Sequence, residues 1–185
     1  MTVKPIRQKL LVDPDKELVH RASRGDMQAF QQLFERHYKW VYALVWRLAG
    51  ASDSAHDLTQ EVFIKVWGSL AQFRGESKFS TWLHTIATRV AMGELRKNKR
   101  WQHIRLTGEA SYAQSMTYEP SADLSELDKL ILRLPEQTRW AFVLHCIEGL
   151  RHEEVATEMG IAIGTSKAQV HRARQMLEEW LTDDG

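Results

Sequence analysis

Lys167, Arg172 and Arg174 fall in a stretch, residues 159–177, that contains no acid. Cations at helical spacing with no acid among them are suited to the phosphates and base edges of a nucleic-acid duplex. A second cluster spans residues 89–105, where six basic residues (Arg89, Arg96, Lys97, Lys99, Arg100 and Arg105) face one acid, Glu94. Phe79 and Trp82 precede it and Trp101 lies within it. Cations hold a phosphate backbone, and aromatic faces give unpaired bases a stacking platform. A solvated helix end with Trp82 in the core explains the same composition, so both readings stand. A third group is acidic: Asp53, Asp57 and Glu61 recur every four residues and share one helix face. No lysine or arginine lies between Leu48 and Ile64. From charge alone a solvated face is the simpler account, and a docking face for a basic partner the sharper one.

Helices must position these groups. Apolar spacing is mostly three and four, and strand signals are scarce, which predicts an all-α protein. A first helix is expected from about Asp15 to Arg24. Asp26 is placed to cap a long second helix carrying Phe30, Leu33, Phe34, Tyr38, Val41, Leu44, Val45 and Leu48, with Gly50 as its stop. Ser52 or Asp53 caps a third helix with Leu58, Val62, Phe63, Val66 and Trp67. After the loop at residues 73–78, Ser80 or Thr81 caps a fourth that buries Leu83, Ile86, Ala87, Val90 and Leu95.

Residues 106–122 carry no sustained apolar repeat and read as a flexible linker. They divide the chain into a tail at 1–14, a helical domain at 15–105 and a second at 123–185. In the second, Ser125 and Asp128 have the capping-box form, and Pro135 suits the start of the next helix. Residues 152–174 then scan as helix, turn and helix. Ala156 permits a close crossing, Gly160 a positive φ, Ile161 and Ile163 pack the turn, and Thr165 caps the second helix.

The formal net charge is +1, so binding to nucleic acid must come from local clusters. One cysteine, Cys146, excludes an internal disulfide. With no apolar run long enough for a membrane span and no signal-peptide pattern, a cytoplasmic protein is expected. His145, Cys146 and His152 lack common zinc spacing and read as structural, with Cys146 on an apolar helix. No phosphate loop or nucleophile motif is present, so no enzyme activity, cofactor or metal is expected.

The motifs together resemble a known family. Glu153–Glu154–Val155–Ala156, Met159–Gly160–Ile161, Gly164–Thr165–Ser166–Lys167 and His171–Arg172–Ala173–Arg174 resemble region 4 of bacterial sigma factors of the extracytoplasmic-function group. Asp57–Leu58–Thr59–Gln60–Glu61–Val62–Phe63–Ile64–Lys65–Val66–Trp67 is similar to that group's core-polymerase motif in region 2. Phe73–Arg74–Gly75–Glu76–Ser77–Lys78–Phe79–Ser80–Thr81–Trp82–Leu83 with Ile86–Ala87 is similar to its promoter-melting segment. The resemblance implies a region 2 helical bundle and a region 4 helix-turn-helix domain. It implies binding to core RNA polymerase, at the β′ clamp helices and the β subunit, through Asp53, Asp57, Gln60 and Glu61, with Phe63 and Trp67 in the core. It assigns single-stranded minus-ten DNA to Arg74, Ser77, Lys78, Phe79, Ser80, Thr81, Trp82, Arg89, Arg96, Lys97 and Arg100. It assigns minus-thirty-five duplex to Thr165, Lys167, Ala168, Gln169, His171, Arg172 and Arg174, and it implies an anti-sigma factor as a further partner. Arg89, Gly93, Ser166, Ala168, Gln169 and His56 depart from the family pattern. A stand-alone helix-turn-helix regulator is the alternative reading.

Overall fold

A computed structural model describes residues 13–50, 52–106 and 125–183, and among them every regular element is helical. Residues 107–122 of the expected linker lie outside the described part, as do residues 123–124 and residues 1–12 of the expected tail. The N-terminal unit holds α1 (Lys16–Ala22), α2 (Met27–Ala49), α3 (Ser52–Ser69) and α4 (Phe79–Leu106). The C-terminal unit holds α5 (Glu126–Arg133), α6 (Glu136–Phe142), α7 (His152–Met159) and α8 (Ile163–Asp183). A single wide turn of π-helix, Val143–Ile147, extends α6.

The cap on α2 forms as its sequence predicts. Asp26 accepts hydrogen bonds from the Gln28 and Ala29 backbone N–H groups, both at 3.0 Å. The bond from Ala29 first, then the one from the Arg21 guanidinium, hold the Asp26 carboxyl below its ordinary range. Leu33, Val41, Leu44, Val45 and Leu48 are fully buried along one face of α2, where α3 and α4 pack. Gly50 closes the helix at φ +72°. A side chain there would be strained, and its Cβ would lie 2.8 Å from Arg139 Nη2. In the C-terminal unit Ser125 accepts from the Asp128 N–H at 3.1 Å, which completes the expected cap of α5.

Other boundaries shift. α4 starts at Phe79, ahead of Ser80 and Thr81, because its first N–H donates to Asp13 Oδ2 at 2.7 Å. Asp13 sits at the edge of the stretch that reads as tail, so a residue remote in sequence supplies the cap. Asp15, 2% exposed, pairs with Arg36 and with His37 Nε2 and anchors α1 onto α2. α8 starts at Ile163, so Thr165 is inside its first turn rather than at its cap. Ile163 is 43% exposed and does not pack the turn, whereas Ile161 is half-buried against the core.

The two units pack on each other. Ile131, Trp140, Ala141, Val143, Leu144, Val155 and Met159 belong to the same apolar cluster as the α2–α4 core. Polar links reinforce the contact. Arg47 Nε donates to Asp128 Oδ1 at 2.8 Å, and Trp140 Nε1 donates to the Leu48 carbonyl at 2.9 Å. His84 Nε2 lies 3.0 Å from Glu148 Oε2.

Gly93 interrupts the interior of α4, and a methyl group there would meet nothing within 4 Å. Gly93→Ala is therefore expected to stabilise the chain by about 1 kcal/mol, the helix-propensity difference. Thermal unfolding checks this, as a rise of a few degrees in Tm.

Candidate nucleic-acid and partner interfaces

α3 buries Ala55, Leu58, Val62, Phe63 and Val66 and turns Asp57, Gln60 and Glu61 to solvent. The Asp53 side chain lies outside the described residues. His56, beside the acidic row, is tied to α2: its Nδ1 is 3.0 Å from the Tyr38 hydroxyl and its ring lies against Tyr42. Burial pushes the Tyr38 hydroxyl up from its ordinary pKa. Trp67 corrects the expectation of a core residue. It is 36% exposed and rests on Phe30 at 4.8 Å between ring centroids. Ile64, which the residue pattern did not single out, is 71% exposed next to Glu61. The clue was available: residues 62–67 hold more apolar side chains than one buried stripe accommodates.

Between α3 and α4 the loop at 73–78 turns at Gly75, φ +70°. Arg74 and Ser77 are exposed, and Lys78 is half-buried. Phe73, Phe79 and Trp82 form an aromatic trio with centroids 5.1–6.1 Å apart. Phe79 is 1% exposed, so it supports Phe73 and Trp82 and offers no face of its own. The loop and α1 enclose a cleft of about 660 Å³, lined by Lys16, His20, Phe73, Arg74 and Lys78 among others. Ser80 and Thr81 are exposed beyond it.

Farther along α4, Arg89, Arg96 and Lys97 are exposed, while the Arg100 side chain is outside the described residues. These cations have protein partners here. Arg89 Nε lies 3.6 Å from Glu158 Oε1, and Arg96 Nη1 donates to the Glu158 carbonyl at 2.8 Å. Lys97 bonds Glu94 at 2.9 Å, and that bond, with the nearby Glu61 charge, holds its ammonium above the ordinary range.

At the turn of the helix-turn-helix, Gly160 and Ala156 stand where the sequence predicts, whereas Ile163 and Thr165 do not. Gly160 ends α7 at φ +68°, and Ala156 is buried where the helices cross. Glu154 Oε2 accepts from the Arg151 N–H at 2.8 Å, which lowers the Glu154 carboxyl pKa. On α8, Thr165, Lys167, Ala168, His171, Arg172 and Arg174 are exposed. Gln169 is not aimed outward. Its Oε1 accepts from the Thr138 hydroxyl at 2.7 Å. Ser166 is fully buried, with its hydroxyl 3.0 Å from His152 Nδ1. Cys146 also corrects expectation, since it is exposed, 3.5 Å from Arg174 Nη2.

Two acidic and basic helical surfaces on one unit, and a helix-turn-helix on the other, define a helical DNA-binding protein with a separate docking face. Known proteins share that arrangement. Sigma-70 region 2 matches residues 33–101, and sigma-70 region 4 matches residues 124–177. The chain is 34% identical over 177 residues to the ECF RNA polymerase sigma-E factor of Haemophilus influenzae, covering 89% of this chain and 93% of that one. It is 31% identical over 185 residues to the RNA polymerase sigma-H factor of Pseudomonas aeruginosa, covering 93% and 96%. Among solved structures, the sigma factor RpoE in complex with the anti-sigma factor NepR from Bartonella quintana is 28% identical. It covers 86% of this chain and all of that one, with a TM-score of 0.60. The chain belongs to the sigma-70 family, in its extracytoplasmic-function group. It is a sigma factor, a transcription-initiation protein that binds DNA through regions 2 and 4. Matches in both halves disfavour the stand-alone regulator. No described helix is long and apolar enough to cross a membrane.

Proposed function

We propose that α3 docks this chain on core RNA polymerase through Asp57, Gln60 and Glu61, extended by Asp53 and Ile64. The β′ clamp helices and the β subunit are the partners. The observation that carries this is the split of α3 into a wholly buried apolar face and an exposed acidic one. The cleft between α1 and the loop at 73–78 takes an extruded minus-ten base, with Ser80, Thr81 and Trp82 following it on the start of α4. Capturing a base in this way needs a pocket plus cations along the strand. Arg74, Lys78, Arg89, Arg96, Lys97 and Arg100 are those cations. Strand opening then follows from binding energy, without a catalytic group.

α8 enters the major groove of the minus-thirty-five element. Lys167 and Arg172 carry contacts to bases or phosphates, with Thr165 and Arg174 at the backbone. An anti-sigma factor, as in the relative solved with NepR, is a further partner. Run-off transcription with core polymerase and a diverse template library tests the whole. Failure to bind core refutes it, and core binding with no initiation on any template refutes the promoter half.

Lys167→Ala with Arg172→Ala is expected to weaken duplex binding. The slope of log affinity against log salt should become shallower by about two, since each lost phosphate contact removes about 0.9. Titration of duplex at several salt concentrations measures it, and an unchanged slope removes those two residues from the interface.

A further inference from the structure

α8 buries Ser166, Val170, Ala173 and Leu177, which recur at spacings of four, three and four. At about 100° per residue the opposite side presents Gly164, Ala168, His171 and Gln175, all exposed. Apolar packing alone is non-directional and tolerates some roll about the helix axis. Two hydrogen bonds do not. From α6, the Thr138 hydroxyl donates to Gln169 Oε1 at 2.7 Å. From the first residue of α7, His152 Nδ1 lies 3.0 Å from Ser166 Oγ. His152 is itself held in place. It stacks on His145 at 4.0 Å, and the His145 Nδ1–H donates to the Leu150 carbonyl at 2.8 Å. Thr138 and Ser166 are 2% and 0% exposed, so water does not substitute for either bond. A roll of about 20° moves a group about 5 Å from the axis by about 2 Å, enough to break both.

We propose that Thr138 and His152 are positioning residues that lock the roll of α8 and thereby make Ala168 and His171 its central base-facing pair. This rests on the reading that α8 binds minus-thirty-five duplex. Ala168 offers a methyl contact to a thymine methyl group, and His171 a hydrogen bond to a base edge. Lys167 and Arg172 flank that pair and reach phosphates. The tethers therefore act on sequence choice, not on the electrostatic part of binding.

The test uses the full chain bound to core RNA polymerase and a randomised duplex library. The wild-type chain enriches one motif. Thr138→Val keeps the side-chain shape and removes the donor. Discrimination between that motif and its single-base variants should fall at least about fivefold. Affinity for arbitrary duplex, and its salt slope, should stay at the wild-type value. Thr138→Ser should restore discrimination, and Ser166→Ala should lower it through the other tether. Unchanged discrimination in both Thr138→Val and Ser166→Ala overturns the proposal. So does a loss of discrimination accompanied by a changed salt slope and a lowered Tm, the pattern of a merely structural role. A wild-type chain that enriches no motif overturns the reading of α8 as well, which separates the two failures.

Discussion

Replacing Asp57 and Glu61 together with lysine is expected to abolish binding to core RNA polymerase. Both side chains are exposed on α3, and the face beneath them is anchored by Leu58, Val62 and Phe63, each at most 5% exposed. The double substitution therefore leaves the core intact, and Tm should change little. Two reversals at a charged interface replace attraction with like-charge contact, which costs several kcal/mol, a loss of about a hundredfold or more in affinity. Glu61 also lies near enough to Lys97 to raise its pKa, so a lysine at 61 adds a local repulsion within the chain. A single Glu61→Gln control separates that effect, because it removes the charge without reversing it. Fluorescence anisotropy of labelled chain against core polymerase gives the affinity. An affinity equal to wild type, with the fold intact, would remove α3 from the polymerase interface.

The parts of the fold that were legible in the sequence are those fixed within a turn or two of chain. Asp26, Ser125, Gly50 and Gly160 mark helix ends because a cap needs only the next three residues or a positive φ. The acidic row on α3 and the cations of α8 were legible because helical periodicity alone sorts exposed from buried positions. What was hidden depends on partners far away in sequence. Asp13 caps α4 across 66 residues, so the helix starts before the serine and threonine that a local reading favours. Phe79 is withdrawn from the candidate DNA face by Phe73, Trp82 and His37. Gln169 falls in the duplex-binding set implied by the resemblance, yet Thr138, 31 residues earlier, donates to its side-chain oxygen. Arg89 and Arg96 scan as bare cations, yet both meet Glu158 of the other unit. Nothing local in a sequence reveals contacts across a linker.

That packing between units bears on promoter binding through distance. Minus-ten and minus-thirty-five elements lie about 25 base pairs apart, about 85 Å of duplex at 3.4 Å per step. In the packed chain α4 touches α7, so two units each about 30 Å across cannot reach both elements. If α4 and α8 bind both elements as proposed, the contact breaks in the promoter complex. Arg47→Glu is expected to open the free chain without entering either core, because it sets a carboxylate against Asp128. Burial pushes the Asp128 carboxyl up, but its hydrogen bonds from Arg47 and Ser125 outweigh that and hold it below the ordinary range. Its contribution to docking is accordingly present above about pH 4 and lost as pH falls through the lowered value. Small-angle scattering should show the wild-type chain compact at pH 7 and the Arg47→Glu chain expanded there. Trp140→Ala should open it further and cost about 3–5 kcal/mol, since the indole is 3% exposed and packs in the shared core. Trp140→Phe should cost only about 1 kcal/mol, the worth of its bond to the Leu48 carbonyl. That carbonyl sits in the last turn of α2, where no further turn supplies a donor, and Arg139 Nη2, at 3.3 Å, remains to it when the indole is lost. Run-off transcription by the Arg47→Glu holoenzyme should equal wild type, because the broken contact is one that the promoter complex has already given up. A compact Arg47→Glu chain at pH 7 would mean that the shared apolar cluster holds the units together without the ion pair, and a loss of transcription with core binding intact would mean that the packed arrangement persists on the promoter and that the distance argument fails.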